Sequence, residues 1–106
     1  INIKLAKSGG IKEALAINKV AEAAGIPCMM GGMLESRLAL SAKVHLAMSL
    51  DNIKFYDLDT CLLGHKIDPV VGGAIYKGMH LELNDAPGIG ADVAPAFLQT
   101  LDQVVI

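Results

Sequence analysis

Apolar residues fall into three short runs, which are separated by two longer amphipathic stretches. The runs are INIKL, IPCMM and IKFYDLD, and they begin near residues 1, 26 and 53. INIKL alternates, which is typical of a β-strand with apolar residues on one face and Asn2 and Lys4 on the other. Each run is therefore predicted to form a strand.

The two stretches between the runs predict helices. The apolar residues of the first helix recur at helical spacing before Gly25, a natural stop, and are Ile11, Ala14, Leu15, Ile17, Val20, Ala21 and Ala24. The second helix allows two apolar faces. One face contains Leu38, Ala39, Ala42, His45 and Leu46, and the other contains Leu40, Val44 and Ala47.

The even strand–helix rhythm favours parallel strands with right-handed crossovers. Three such strands leave two open edges, which invite pairing with more chain, and a whole (β/α)₈ barrel needs about 250 residues. We therefore expect an α/β fold, the C-terminal part of such a barrel in the order β-α-β-α-β. An independent small doubly wound domain is the alternative. The chain begins with Ile1, so we expect a piece of a longer protein or a truncated gene product.

The rhythm stops after Asp59. AIYKGMHLELNDAPGIGADV predicts an extended pair, with turns at Lys77–Gly78 and Pro87–Gly88. The tail, residues 94–106, fits a closing helix or strand. We expect one domain over residues 1–106, with the barrel part at about 1–65 and an extended return segment at about 66–106.

Composition narrows the functional classes. Of the 106 residues, 53% are hydrophobic and 19% charged, which is unlike a disordered chain. The net charge is −2 without a basic stripe, so no nucleic acid or membrane partner is expected. Two cysteines, Cys28 and Cys61, fit no metal or C-x-x-C pattern. Together with the lack of a secretion signal, reduced thiols predict a cytoplasmic protein.

Candidate chemistry gathers at the predicted strand ends, where barrel enzymes place their active groups. Lys4 would face the barrel interior, where a desolvated lysine can act as a base near neutral pH. The alternative is a lysine that extends from a strand end to water. Asp57 and Asp59, two apart on a strand, would place their carboxylates about 6–7 Å apart on one face. Two like charges so close repel each other, which favours a cation bound between them. The alternative is a pair of solvated acids in a loop.

Four segments taken together resemble the C-terminal portion of the enolase superfamily. They are NIKLAKSGGI, MMGGMLESRLALSAKVHLA, FYDLDT and PGIGADV, and they cover about residues 1–93 in order. Within the superfamily, the chain most resembles the muconate-lactonising subgroup and, inside it, the L-Ala-D/L-Glu (dipeptide) epimerases. The tail after residue 93 departs from the usual family ending.

The resemblance implies a role for each motif. Lys4 matches one of two lysines that face each other across the substrate α-carbon and would be catalytic. Asp57 and Asp59 match the pair that holds the α-ammonium group of a dipeptide, and Glu35 and Met33 belong to the matching M-L-E-S motif, expected to bind substrate. The implied reaction is proton transfer α to a carboxylate, with Mg²⁺ stabilising the ene-diolate.

The resemblance also implies that much lies elsewhere. The Mg²⁺ ligands, the second lysine and the capping domain are expected outside these residues, so the segment alone is expected to be inactive. A homo-oligomer, or pairing with the missing barrel half, would supply partners for the open edges. The alternatives within the superfamily are a muconate or chloromuconate cycloisomerase, an N-acylamino-acid racemase and an o-succinylbenzoate synthase. A non-catalytic truncated remnant is the alternative outside enzymology.

Overall fold

The structure is a computed structural model that describes residues 1–63 and 65–104. Its helices are α1 (Leu5–Ser8), α2 (Ile11–Ala23), α3 (Arg37–Met48) and α4 (Pro95–Leu98). Its strands are β1 (Asn2–Ile3), β2 (Cys28–Met30), β3 (Ile53–Tyr56), β4 (Val70–Gly72), β5 (Ile75–Lys77), β6 (His80–Glu82) and β7 (Ala91–Val93). The last two residues of the predicted tail, 105 and 106, lie outside the described residues.

The three predicted parallel strands form one sheet in the order β1-β2-β3. Asn2 pairs with Met29, and Met30 pairs with Tyr56 on the other side. Helix α2 links β1 to β2, and α3 links β2 to β3. The β-α-β-α-β order is confirmed, and it brings the carboxyl ends of three neighbouring strands to one edge.

The first strand is shorter than INIKL predicts. It ends at Ile3, and a one-turn helix begins at Leu5, so Leu5 does not extend the strand. The reason is local: the Lys4 carbonyl accepts hydrogen bonds from the backbone N–H of Lys7 and Ser8, at 2.8 and 3.0 Å. Gly9, with φ of +81°, ends this turn in a left-handed conformation that glycine adopts without strain.

The core lies between the sheet and the two long helices. Its buried residues are Ile3, Ala14, Ala21, Cys28, Met30, Leu46, Ala47 and Ile53. The predicted face of α2 is wrong at three positions, because Ile11 and Val20 are 46% and 72% exposed and Ala24, just after the helix, is exposed as well. Small residues and Asn18 face the sheet instead, which lets the helix approach closely.

Helix α3 buries the second of its two predicted faces. Leu40, Val44 and Ala47 are buried, and Leu46 joins them from the other set. The same helix also buries Lys43, which neither predicted face includes.

The described part of the return segment contains two antiparallel strand pairs. Strands β5 and β6 form the predicted hairpin, whose turn contains Gly78 at φ of +61°. Strands β4 and β7 form a second pair that the sequence pattern did not predict. The tail begins with the short helix α4, so the helical alternative is correct there.

Arg37, the first residue of α3, attaches this segment to the rest of the chain. Its guanidinium donates to the carbonyl oxygens of Val70, Gly72 and Ala74, and its Nε lies 2.6 Å from an Asp68 carboxylate oxygen. A planar guanidinium with five N–H donors suits this multiple contact, which an ammonium group cannot reproduce.

No helix in the described part of the chain has the length and apolar character needed to cross a bilayer.

Candidate functional site

The predicted site residues lie at the carboxyl ends of the three parallel strands. Lys4 follows β1 directly, Met33 lies in the loop after β2, and Asp57 follows β3 directly. Because the strands are adjacent and parallel, these positions meet at one edge of the sheet.

Lys4 is half-buried, so within the described chain it is not enclosed as a lysine of a barrel interior would be. Its Nζ lies 3.9 Å from Met33 Sδ, and sulfur is only a weak acceptor. The Ser8 hydroxyl donates to the Lys4 carbonyl at 2.9 Å, which fixes the backbone where the side chain starts. The Lys4 side chain therefore starts from an anchored backbone directly after β1.

The two aspartates are not on a strand as the D-L-D motif predicts, because β3 ends at Tyr56. Asp57 is half-buried, and its Oδ2 accepts a hydrogen bond from the Gly32 backbone N–H at 3.3 Å. Asp59 is exposed and precedes a 3₁₀ turn, Thr60–Leu62. Their separation is thus set by this turn and by Gly32, and not by the rise of a strand.

A surface groove of about 830 Å³ runs along both aspartates. Its other wall is the β5–β6 hairpin, which contributes Gly78, Met79, His80 and Leu81. Tyr56 and Leu62 also line it. A polar end with two carboxylates and a largely apolar wall is suited to a small cationic ligand with an apolar part.

Glu35 is engaged elsewhere. Its carboxylate contacts the ammonium group of Lys43, and the Lys43 side chain is fully buried. Sequence reasoning missed Lys43, although a signal was available: the position is one turn after Leu40 and one turn before Ala47, on the buried face of α3.

Tyr76 is a second group that the sequence did not single out. Its hydroxyl donates to the Leu58 carbonyl, between the two aspartates, and lies 3.0 Å from Cys61 Sγ. Burial, followed by the hydrogen bond with Cys61, raises the pKa of Tyr76 above its ordinary value. Tyr76 therefore holds the D-L-D segment against the hairpin in its neutral form.

The residues that the structure describes include no group of three or more histidine, cysteine, aspartate or glutamate side chains placed to hold a metal ion.

Comparison with known proteins gives the chain its family. Residues 1–97 match the family model described as "Enolase C-terminal domain-like". The D-Ala-D/L-Ala epimerase of Cytophaga hutchinsonii is 41% identical over 106 residues, which are 99% of this chain and 28% of that protein. The L-Ala-D/L-Glu epimerase of Bacillus subtilis is 44% identical over 90 residues, 85% of this chain and 24% of that protein.

Solved structures show the same relationship. The dipeptide epimerase of C. hutchinsonii, in complex with Mg and the dipeptide D-Ala-L-Val, has a TM-score of 0.88 and 41% identity, over 95% of this chain and 27% of that one. A substrate-liganded complex of the B. subtilis epimerase has a TM-score of 0.83 and 44% identity, over 89% and 26%.

The chain spans about a quarter of the length of these relatives. They are isomerases, and the resemblance that the sequence motifs indicated is confirmed. The α/β fold is that of these proteins. The chain belongs to the enolase C-terminal domain-like family.

Proposed function

We propose that the chain is the C-terminal, (β/α)₈-barrel-derived segment of a Mg²⁺-dependent dipeptide epimerase. In this proposal the complete enzyme moves the proton α to a carboxylate from one face of a dipeptide to the other. The segment alone is inactive, because the remaining strands and the second base lie outside it.

One observation carries the proposal. Lys4 stands at the carboxyl end of β1, and the aspartate pair stands at the carboxyl end of β3, on the other side of β2 in the same parallel sheet. Contacts on both sides connect them, from Lys4 to Met33 and from Asp57 to Gly32. Dipeptide epimerases that share 41–47% identity with the chain support this assignment.

Lys4 would exchange the α-proton on one face of the substrate. A lysine acts as a base only when it is neutral, and a well-placed general base contributes about 10²–10⁴-fold to the rate. The opposite face would be served by a base from outside the segment.

Asp57 and Asp59 would hold the α-ammonium group of the dipeptide. Two carboxylates beside one groove present four acceptor oxygens to three N–H donors, and charge-assisted hydrogen bonds are the strong ones. Met33 would contact substrate beside Lys4. Glu35 would support the same loop, since its carboxylate is already paired with Lys43.

The described residues include no group of side chains that could hold Mg²⁺, so they do not form a metal site by themselves. We assign its ligands to the part of the enzyme outside the segment. The open edges of β1 and β3 are where that part, or a second copy of the chain, would add strands. The two free cysteines support a reducing, cytoplasmic setting.

The second candidate function is racemisation of an N-acylated amino acid. It is favoured by the N-succinyl-L-Arg/Lys racemase of Bacillus cereus, which is 39% identical over 95% of this chain and of which the chain covers 27%. Such a substrate has no α-ammonium group, so the two functions make opposite demands on Asp57 and Asp59. A cycloisomerase substrate likewise offers those aspartates no cation.

A chimera tests the proposal. The chain replaces the matching quarter of the B. subtilis L-Ala-D/L-Glu epimerase, and epimerisation of L-Ala-D-Glu and α-proton exchange in D₂O are measured. In the Lys4→Ala chimera we expect epimerisation to disappear and α-proton exchange to be lost from one epimer of the substrate. The exposed Lys7→Ala change is the matched control. A folded chimera that exchanges N-succinylated amino acids but no dipeptide would favour the racemase. A folded chimera without either activity would favour the non-catalytic remnant.

A further inference from the structure

Lys43 is the largest fully buried side chain of the described chain, with 0% of its surface exposed. Its ammonium group contacts the Glu35 carboxylate, whose side chain is only 11% exposed. Within the described residues, no other polar group satisfies the Lys43 Nζ or the Glu35 Oε2. Each charge therefore depends on the other.

An isolated buried pair of this kind is a poor way to gain stability. Removing two charges from water is expensive, and apolar residues of similar volume often do as well or better at the same position. Lys43 also interrupts the apolar face that Leu40, Val44 and Ala47 present to the core. A pair that contributes little net stability can still fix the position of a segment of the chain.

The segment is the loop between β2 and α3, residues 31–36, called here the β2–α3 loop. Glu35 is tied at both of its ends: its carboxylate to Lys43, and its backbone carbonyl to His65, whose Nε2 lies 2.9 Å away. The same loop provides Met33, which contacts Lys4, and the Gly32 N–H, which binds Asp57. The loop thus touches both halves of the candidate site.

We propose that Lys43 is a positioning residue: its pairing with Glu35 holds the β2–α3 loop in place between the proton-transferring lysine and the ammonium-binding aspartate. Lys43 is not among the residues that line the groove, and it acts through its contact with Glu35. The consequence for catalysis rests on the proposed function, whereas the consequence for the loop does not.

Hydrogen exchange, measured on the complete enzyme, tests directly whether the pair holds the β2–α3 loop in place. In the double variant Glu35→Leu/Lys43→Leu, the charges are removed together, so the fold is retained. The amides of residues 31–36 should exchange at least about tenfold faster, while those of α2 keep their parent rates. The single variant Lys43→Met leaves Glu35 buried and unpaired, and it should lower the Tm by at least about 5 °C. Lys19→Met, an exposed lysine on α2, is the matched control and should change neither quantity.

Glu35→Gln, which keeps the size and an acceptor but removes the charge, provides the second variant. The buried Lys43 charge then faces a neutral amide, so this variant should also raise the exchange of the loop amides. The inference is overturned if loop exchange stays at the parent rate in both Glu35→Gln and the double variant.

Kinetics of the chimera give a separate readout. The double variant should lose at least about tenfold in kcat with its Tm retained, because misplacement of catalytic groups slows the chemical step. Retention of both Tm and kcat would show that the pair is exchangeable packing, and would contradict the inference. A parent chimera that is inactive rejects the proposed function alone, since the exchange experiment then still decides the role of Lys43.

Discussion

The backbone N–H of Gly32 donates to the Asp57 carboxylate at 3.3 Å, and so joins the end of β2 to the end of β3. Gly32 can lie there because it has no side chain. A Cβ at this position would stand 2.6 Å from Thr60 Cγ2 and 3.2 Å from the Asp57 carbonyl oxygen. The orientation of Asp57 therefore depends on a close approach that only glycine permits.

Gly32→Ala should reduce kcat/KM of the chimera on L-Ala-D-Glu by about 10–100-fold, because the new methyl group displaces the turn that carries the aspartates. Gly31→Ala is the matched control. There the Cβ would stand 2.0 Å from Oδ1 of the exposed Asn2, which is the far end of a flexible side chain that can rotate away, and not close to the turn that carries the aspartates. Equal losses in the two variants would show that Gly32 does not position Asp57.

Lys4→Ala should slow exchange of the α-proton from one epimer of the substrate by at least about 100-fold. Exchange from the other epimer continues through the base on the opposite face. The measurement is deuterium incorporation in D₂O by NMR, starting from each epimer separately. If both epimers exchange at the parent rate, Lys4 has only a structural role.

Arg37→Lys should loosen the return segment, because one ammonium group cannot serve three carbonyl oxygens and Asp68 together. We expect a loss of about 2 kcal/mol in the free energy of unfolding and faster proteolysis within residues 66–104. Lys66→Ala, at an exposed position of the same segment, is the control. Unchanged proteolysis in Arg37→Lys would mean that β-strand pairing alone holds the segment.

Tyr76 predicts how stability depends on alkaline pH. The folded chain holds the pKa of Tyr76 above its value in the unfolded chain, which is about 10. The contribution of Tyr76 to the free energy of unfolding is therefore complete below pH 10 and declines as the pH rises above 10. In thermal unfolding of the complete enzyme between pH 8 and pH 11, the Tm of the parent should fall more steeply with pH than the Tm of Tyr76→Phe. Parallel curves would contradict this coupling.

The contrast between prediction and structure has physical causes. The strand–helix rhythm and the hairpin around Gly78 follow from local patterning, so the sequence predicts them. Where β1 ends does not follow, because hydrogen bonds to the Lys4 carbonyl turn a strand-like pattern into a helix. Alternation in a five-residue run cannot reveal this competition.

The candidate site, too, is predicted by the sequence only in part. Motif spacing predicts that Lys4, Met33 and Asp57 converge, because parallel strands bring their ends together. Spacing does not predict that Glu35 pairs with Lys43, since that contact depends on how α3 rotates against the sheet. Nor does it predict the contact from Tyr76 to Leu58, which joins residues from the hairpin and the strand end.

The ammonium-binding role of Asp57 and Asp59 is the central claim, and one comparison tests it most directly. The measurement is kcat/KM of the chimera and of its Asp57→Asn/Asp59→Asn variant on Ala-Glu and on N-acetyl-Ala-Glu. The change to asparagine keeps size and polarity but removes the charges, so Ala-Glu should lose about 30–1000-fold, on the order of 2–4 kcal/mol. N-acetyl-Ala-Glu, which has no cation to bind, should lose much less or improve. Equal losses on the two substrates would show that the aspartates support the strand end and not the ammonium group, and would contradict the assignment as a dipeptide epimerase.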